Sequence, residues 1–512
     1  MHQHLNTRFC RAFVAPLLFL GLAITSPAAS WTPLTNPMPP GTFGGTMLLL
    51  TDGTVMVSNQ VNGSYDVWLK LTPDSHGSYI NGTWTTLASM SIQRLYFASV
   101  ILPSGKLWVL GGEYSAAHGL GISANFNRTG EIYDPVANSW SAITSYPNAS
   151  FGDDPAALLP NGKIIAGDIS TNQPQIYDIA SNTWAAGPHK VYNDRSDEES
   201  WAKRGDGKVM VYDLFMAVND GTHGFAEVYD PTANTWASVT PFDGTANGTL
   251  GVLSSSALGF EMGPLLRLQD GRMFQLGANQ HTALYTPGTN TWAAGPDIIH
   301  NGTNFGADDA PGVVMPNGHV LFTADEGPSI STFSPPTQVF DFDPVAGTIS
   351  DASPAFPVSL ASTPAFVTRM LMLPNGQVLF NFNSNQLYVY TPNGTASPAL
   401  RPIINNVAYN GGGVFTLTGS QLNGQSAGSA YGDDVGTDEN FPVIRLIQGT
   451  TQVYCKTSNW SATGVDGSGS QTVNFTLGAA VTPGNYYLVV SGAGIQSNPM
   501  VVNITAAEVA GQ

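Results

Sequence analysis

The sequence is poor in cysteine and in basic residues, and it has only one long apolar run, near its N-terminus. Of its two cysteines, Cys10 falls in a predicted leader and Cys455 is interpreted as a small buried apolar residue, so no intramolecular disulfide is expected. Eighteen lysines and arginines face 36 acids, a formal net charge of −18. This negative field excludes nucleic acid and anionic lipid surfaces as partners, and it favours cations or neutral glycans.

The first 29 residues have the pattern of a secretory signal peptide. Arg8 and Arg11 precede an apolar run from Phe13 to Ile24, and small residues follow it. The run is too short to span a bilayer, and no later segment approaches the roughly 20 apolar residues that a transmembrane helix needs. The mature chain is therefore predicted to begin near Trp31, with a net charge of −20, and to be a monomer secreted to the extracellular space or the periplasm.

A strand–turn–strand unit recurs seven times and dominates the chain. Each copy, such as LLPNGKIIAGD, places an Asp-Gly, Asn-Gly or Ser-Gly turn between apolar runs, which is typical of a β-hairpin. The turn glycines are Gly53, Gly105, Gly162, Gly207, Gly271, Gly318 and Gly376. Their separation is close to the kelch period of roughly 50 residues, so residues 30–400 are predicted to form an all-β, seven-bladed kelch-type propeller.

Two further patterns complete this architecture. Most turns are followed by a segment such as PQIYDIASNTW, which predicts a third strand, a turn and a fourth strand that begins at tryptophan. The seventh unit lacks that tryptophan, and the segment from Trp31 to Pro39 resembles the missing strand, so it is predicted to close the seventh blade. After about Leu400 the rhythm changes, and residues 401–512 are predicted to form an immunoglobulin-like β-sandwich.

The LPNG hairpins, the Tyr-Asp-Pro strand endings and the closing PGNYYLVVSGAGIQSNP resemble the galactose oxidase and glyoxal oxidase family over nearly the whole mature chain. The resemblance implies a copper ion held by two tyrosines and two histidines, with one tyrosine linked to a cysteine. Here Phe366 and Val367 stand where that family has its Tyr-His pair, and Thr451 or Gln452 stands near the position of its second histidine. Cys455 lies outside the propeller. We therefore predict a family-like architecture without copper-radical chemistry.

Carboxylates recur at one level of four successive repeats, eight to ten residues before the turn glycine. They are Asp153, Asp154, Glu198, Glu199, Glu261, Asp308 and Asp309. Arg94 and Arg369 fall near the same level in the second and seventh repeats. Since these residues lead into the innermost strand of each blade, they predict an acidic axial mouth with two cationic flanks. Any one of these acids also has a plainer interpretation, in which it only accepts backbone amides of its own loop.

Three chemistries suit such a mouth: binding of a hard cation, recognition of sugar hydroxyls, and acid–base catalysis. No cofactor is predicted outright, although the ligand type suits Ca²⁺ or another hard cation. The loops between second and third strands lie on the same face and carry His118, His223 and His281. These histidines can act as bases or metal ligands, or simply serve the loops, since no recognised metal-binding spacing connects them.

Two functional hypotheses follow. The favoured one is a non-catalytic secreted protein that binds a glycan, such as a cell-surface polysaccharide, or a cation at the acidic mouth. The alternative is a secreted polysaccharide hydrolase or lyase that uses a carboxylate pair among Asp153, Glu198, Glu261 and Asp308. Carboxylates about 5 to 10 Å apart in an open pocket favour catalysis, whereas carboxylates that converge on one point favour a cation.

Overall fold

The computed structural model describes residues 28–221, 223–239, 242–243, 253–254, 261–326, 334–352, 356–431, 440–465, 467 and 469–511. The predicted signal peptide lies outside this range except for its last two positions. The described chain is nearly all β, in antiparallel sheets of the β-propeller type. None of its helices has the length and apolar character needed to cross a membrane.

The predicted hairpins are the framework of the fold. All seven turn glycines have positive φ, from 76° at Gly53 to 92° at Gly318, and each joins the first two strands of an antiparallel sheet. A side chain there would strain the backbone, which is why glycine recurs at this position. Within the described residues these hairpins belong to seven sheets built on four strands each, numbered here in the order of their first strands.

The strands of the first four sheets, from first to fourth, have the following bounds. Sheet 1 comprises Gly44–Leu49, Val55–Asn59, Trp68–Thr72 and Thr83–Thr86, and sheet 2 comprises Ala98–Ile101, Leu107–Leu110, Gly130–Asp134 and Ser139–Ala142. Sheet 3 comprises Ala156–Leu158, Ile164–Ala166, Gln175–Asp178 and Thr183–Ala186. Sheet 4 comprises Ser200–Lys203, Val209–Tyr212, Ala226–Asp230 and Thr235–Ser238.

The remaining three sheets repeat this plan. Sheet 5 comprises Leu265–Arg267, Met273–Leu276, Thr282–Thr286 and Thr291–Ala294, and sheet 6 comprises Gly312–Val314, Val320–Glu326, Thr337–Asp343 and Thr348–Asp351. Sheet 7 comprises Arg369–Met372, Val378–Asn381, Tyr388–Thr391 and the N-terminal strand Ser30–Pro33. Its fourth strand is thus supplied from the other end of the chain, and Trp31 pairs with Tyr390 in register.

The recurring Tyr, Asn and Trp residues explain the second sequence pattern. In sheet 3, Asn182 adopts a φ of 54° in the turn between the third and fourth strands. Its Oδ1 accepts hydrogen bonds from Tyr177 Oη at 2.8 Å and from the backbone N of Thr144 at 2.8 Å. Trp184 Nε1 donates to the carbonyl of Thr144 at 2.8 Å. Because Thr144 follows the last strand of sheet 2, this pattern also connects neighbouring sheets.

The first strands of the sheets lie next to one another. Contacts join the first strands of sheets 2 and 3, of 4 and 5, of 5 and 6, of 6 and 7, and of 7 and 1. Shorter elements cover the ends of the sheets: the strands Gln93–Leu95, Tyr114–Ala116, Ser123–Ala124, His223–Gly224, Phe242–Asp243, Ile299–His300 and Thr303–Gly306, the helix Leu214–Asp220, and the 3₁₀ turns Ala365–Val367 and Pro398–Leu400. Because the first strands lie next to one another, the loops that lead into them meet at one end of the molecule.

The C-terminal region forms its own set of paired strands. They are Ile403–Gly411, Val414–Ser420, Val443–Gln448, Thr451–Ser458, Gln471–Thr476, Gly484–Gly492, Ile495–Gln496 and Met500–Ile504, followed by the helix Ala506–Ala510. Phe415, Ile444 and Phe475 share one apolar core with Leu48 and Trp68 of sheet 1. Burial of this shared apolar surface holds the C-terminal region against the sheets.

One C-terminal strand leaves its neighbours and enters the repeat region. Ser429–Tyr431 pairs with Ser200–Lys203 as a fifth strand of sheet 4, and it also contacts the first strands of sheets 2 and 3. Arg267 and Ala427 form a further antiparallel bridge. The sequence did not indicate this insertion, which brings Tyr431 to the acidic loops.

Candidate functional site

The acidic loops have an unusual backbone at the predicted level. Tyr96, Asp153, Glu198 and Asp309 each stand nine residues before the turn glycine of their repeat, and they have φ values of 54°, 53°, 60° and 48°. Non-glycine residues in this left-handed region carry a strain of roughly 1 kcal/mol or more, and such strain clusters at functional sites. The loops before the first strands thus hold their side chains in a conformation that local preference disfavours.

Three carboxylates from two neighbouring sheets converge at this level. Oxygen atoms of Asp153, Asp197 and Glu198 all lie within 4.8 Å of one another. The backbone fixes this approach, since the amide of Glu198 donates to the carbonyl of Asp153 at 2.9 Å. Burial raises the pKa of Asp197, while the neighbouring Arg195 opposes that shift. Arg195 Nε donates to Asp197 at 2.7 Å, and its guanidinium lies 3.8 Å from the ring centre of Phe215.

Asp154 lies behind this trio and is fully buried. Neither of its carboxylate oxygens has a hydrogen-bond partner within the usual geometric limits. Burial raises the pKa of Asp154 well above its ordinary value, the charges of Asp197 and Asp168 add to the rise, and the amide of Gly152 opposes it. A buried carboxyl without a partner is costly, so this group marks a place where the protein alone does not satisfy its polar atoms.

A second acidic group lies around the inserted tyrosine. The Oη of Tyr431 donates to Asp309 and, at 2.6 Å, to the carbonyl of Met262. Burial raises the pKa of Glu261, its hydrogen bond with Asp309 lowers it, and the charge of Asp197 raises it. Burial, together with Asp325 and Glu261, raises the pKa of Asp308 to about 9. Asp308 is therefore protonated at neutral pH. We call the six residues of both groups the acidic mouth: Asp153, Asp197, Glu198, Glu261, Asp308 and Asp309.

Glu199 is directed away from the acidic trio into a separate buried network. Its carboxylate pairs with Lys190 and accepts from Trp201 Nε1 at 3.1 Å. Asp213 forms an ion pair with the same ammonium at 2.8 Å, and Asp194 belongs to the same cluster. Burial alone would lower the pKa of Lys190, but the adjacent carboxylates raise it above its ordinary value. Lys190 thus already supplies the positive charge at this cluster.

The two arginines expected to flank the mouth bond to groups within their own repeats. Arg94 is fully buried, pairs with Glu131 at 3.0 Å and donates to the carbonyls of Gly111 and Thr129. Arg369 is also buried and donates to the carbonyls of Phe366 and Thr368 at 2.6 and 2.9 Å. The partly exposed cation beside the acidic trio is Arg195, which the repeat pattern did not single out.

The three loop histidines each bond to an aspartate. His118 Nδ1 lies 2.5 Å from Asp66, and His281 Nδ1 lies 2.8 Å from Asp297. His223 contacts Asp220. The acids that end second strands are also engaged: Asp168 with Tyr146, Asp213 with Lys190, and Asp325 with Thr337 and the amide of Ala365. These contacts place the histidines and the strand-end acids in local networks.

The structure also describes the residues that the sequence analysis compared with copper ligands, and the cysteine near them. Phe366 and Val367 form a 3₁₀ turn directly before the first strand of sheet 7. Gln452 accepts from Arg445 at 2.9 Å in the C-terminal region. Cys455 is fully buried, and burial raises the pKa of its thiol to about 12, so it remains protonated.

Comparison with known proteins gives a broad likeness. No protein-family model matches the chain. An F-box/kelch-repeat protein of Arabidopsis thaliana is 24% identical over 183 residues, which are 31% of this chain and 37% of that protein; the chain thus matches little more than a third of its relative's length.

Two solved structures show a partial similarity to this chain. A fungal alcohol oxidase of the AA5 family, solved in complex with copper, is 16% identical with a TM-score of 0.48, and the match covers 94% of this chain and all of the other. A streptogramin B lyase is 10% identical with a TM-score of 0.45, covering 71% and 97%. These values describe a coarse likeness only.

Proposed function

We propose that this chain is a secreted protein that binds a divalent hard cation, preferably Ca²⁺, at the acidic mouth. In this proposal the seven sheets are the blades of a kelch-type propeller related in architecture to galactose oxidase but without its copper-radical chemistry, and the C-terminal strands are an immunoglobulin-like domain that braces it. The observation that carries the proposal is the convergence of Asp153, Asp197 and Glu198 within 4.8 Å.

The spacing of these oxygens favours a cation over a sugar. Oxygen ligands stand about 2.3 to 2.6 Å from Ca²⁺, so ligands of one ion lie within a few ångströms of each other, as this trio does. A sugar ring instead needs acceptors spread over its hydroxyl groups. Three converging carboxylates repel one another unless a positive charge lies close to them, as Arg195 does at Asp197. Burial and the nearby charge of Asp197 raise the pKa of Asp154 well above its ordinary value, which is a second sign that negative charge is crowded at this level.

Catalysis by a carboxylate pair is the second candidate. Its support is Asp308, whose pKa of about 9 keeps it protonated near Glu261. One protonated and one ionised carboxyl is the arrangement used in glycoside hydrolysis. The trio of Asp153, Asp197 and Glu198 is tighter than the separation that such catalysis uses, so cation binding accounts for more of the mouth.

Thermal unfolding of the chelator-treated mature chain tests the proposal. Ca²⁺ should raise Tm with a Kd on the order of 0.1 to 1 mM, as in other extracellular modules. At about 100 times Kd, the added stability should be about 2.7 kcal/mol. Asp153→Asn and Glu198→Gln should abolish the shift while keeping the shape of each side chain, and asparagine tolerates the left-handed backbone at position 153.

Glu326→Gln is the matched control, because Glu326 is an exposed acid outside the acidic mouth; this variant should respond to Ca²⁺ as the wild type does. An equal Tm shift in all variants, or none with Ca²⁺, Mg²⁺ or Mn²⁺, would contradict the proposal. Release of reducing ends from a polysaccharide, lost in Asp308→Asn but independent of Ca²⁺, would favour the hydrolase instead.

A further inference from the structure

A second cavity lies at the seam between sheet 1 and the C-terminal strands, apart from the acidic mouth. Its volume is about 560 Å³, within the range of small-molecule sites. One wall comes from the first hairpin and third strand of sheet 1, and the other from the strands Thr451–Ser458 and Gln471–Thr476 with the loop after them. The amide of Gln452 donates to the carbonyl of Ser75 at 2.8 Å and joins the walls. We call this space the seam cleft.

Two lysines face the seam cleft from opposite walls. Lys70 belongs to sheet 1 and Lys456 to the C-terminal strands, and both side chains are partly buried. Neither ammonium group forms an ion pair or a hydrogen bond with a described residue. In contrast, Lys106, Lys163 and Lys208 each pair with an aspartate at 2.9 to 3.2 Å. In so acidic a chain, two unpaired lysines in one cavity are a local exception.

The two acids of the cleft are already engaged within their own loops. Asp52 accepts from the amide of Thr54 at 3.0 Å and from its hydroxyl at 2.6 Å. Asp74 accepts from the amides of His76 and Ser78, both at 2.9 Å. Since these carboxylates accept hydrogen bonds from their own loops and do not pair with the lysines, the two ammonium groups can bind an anionic ligand.

The rest of the lining suits a sugar. Thr72, Thr451 and Thr476 line the cavity, and Tyr454, with its aromatic ring, forms part of the wall. That ring lies against Gly53, where a Cβ would come within 2.5 Å of it, so the glycine also makes room for the aromatic ring. Threonine hydroxyl groups can form hydrogen bonds with sugar hydroxyl groups, and an aromatic ring can pack against the apolar face of a pyranose.

We propose that the seam cleft binds a carboxylated saccharide, a uronic acid unit of a polysaccharide, with Lys70 and Lys456 at its carboxylate. The lysines supply the charge, the threonine hydroxyls and Tyr454 supply the contacts to the ring, and both domains contribute to the site. This site is independent of the acidic mouth and of the function proposed for it.

Calorimetric titration of the mature chain with trigalacturonate tests the proposal, with maltotriose as the neutral probe and inorganic phosphate as the simple anion. Trigalacturonate should bind and maltotriose should not. Lys70→Gln and Lys456→Gln should each weaken binding about ten-fold, as expected for the loss of one charge-assisted contact. Lys163→Gln, which removes a surface lysine far along the repeat array, should leave binding unchanged, as should Asp153→Asn at the acidic mouth. Unchanged Tm of the lysine variants shows that they fold.

Three results would overturn the proposal. Unaltered trigalacturonate binding in the Lys70→Gln, Lys456→Gln double variant would show that the lysines do not hold it. Equal affinity for phosphate would reduce the cleft to a simple anion site. Loss of binding in Asp153→Asn, with binding kept in the lysine variants, would place the saccharide at the acidic mouth.

Discussion

Asp308 shows how one buried residue makes the stability of the protein depend on pH. Its pKa rises from 3.8 to about 9, chiefly through burial. The folded chain therefore holds this proton between about pH 4 and pH 9, whereas the unfolded chain releases it. A group that binds more protons in the folded state destabilises the fold as pH rises, so its stabilising contribution is full below the unfolded pKa and is lost towards pH 9.

Without added cation, we therefore expect Tm to fall as pH rises from about 5 to 8. The slope from a single such carboxyl reaches about 1.4 kcal/mol per pH unit. Asp308→Asn keeps the neutral shape and should flatten the slope, making the variant the more stable protein at pH 8. Scanning calorimetry across this range in the presence of a chelator measures the effect. A wild-type Tm that rises with pH, or identical slopes in both proteins, would show that Asp308 is not held protonated.

The turns between third and fourth strands act at the scale of the element. The same arrangement recurs in four sheets, where Tyr133, Tyr177, Tyr229 and Tyr285 donate to asparagines five residues later at 2.8 to 2.9 Å. Every one of these asparagines has positive φ. Asparagine tolerates that conformation and offers an acceptor in the same place, which explains why it recurs where glycine would satisfy only the backbone.

Replacing Asn182 should separate these two contributions. Asn182→Gly retains the backbone freedom and loses two hydrogen bonds, at about 1 kcal/mol each. Asn182→Ala adds the strain of a left-handed alanine, roughly another 1 kcal/mol or more. We expect the Tm order wild type, then glycine, then alanine, measured by thermal unfolding with Asn62→Ala, on an exposed loop, as a control. An alanine variant as stable as the glycine variant would argue against backbone strain at this turn.

The molecule as a whole is held together by pieces that lie far apart in the sequence. Ser30–Pro33 completes sheet 7, with Trp31 packed against Phe356, Phe380 and Tyr390. Ser429–Tyr431 adds a strand to sheet 4. Each of these two strands pairs with a sheet edge that would otherwise be open. We therefore expect the seven sheets and the C-terminal strands to unfold cooperatively.

Tyr431 is the residue through which this coupling is best measured. Tyr431→Phe keeps the buried ring but removes the hydroxyl group that contacts Asp309 and the carbonyl of Met262, at a cost of about 1 to 3 kcal/mol. We expect a lower Tm, whereas Tyr487→Phe, at a 54% exposed position, should leave Tm unchanged. Calorimetry of the two variants provides the comparison. Equal Tm values would mean that the inserted strand does not stabilise the mouth.

The site was only partly accessible from sequence. The repeat offset placed Asp153, Glu198 and Asp309 at one level, because equivalent positions of a repeat occupy equivalent positions in space. Asp197 lies at the same level, ten residues before Gly207, but was left out of the predicted set. Arg195 was also missed, because its role depends on the loop folding back. The contact of Tyr431 with Asp309 could not be predicted from the sequence, because the two residues are 122 positions apart and only the path of the C-terminal strand brings them together.

By itself, the sequence determined what depends on local physics. Glycine is required at the hairpin turns, and runs of apolar residues mark the strands on either side of them. The Tyr, Asn and Trp residues recur at the turns between third and fourth strands. The tertiary structure decided what depends on long-range burial and charge. It turned Glu199 towards Lys190 and Arg94 towards Glu131, and it brought Asp153, Asp197 and Glu198 together. Partner choice among charges follows from which groups share a low-dielectric space, and that is a property of the folded chain.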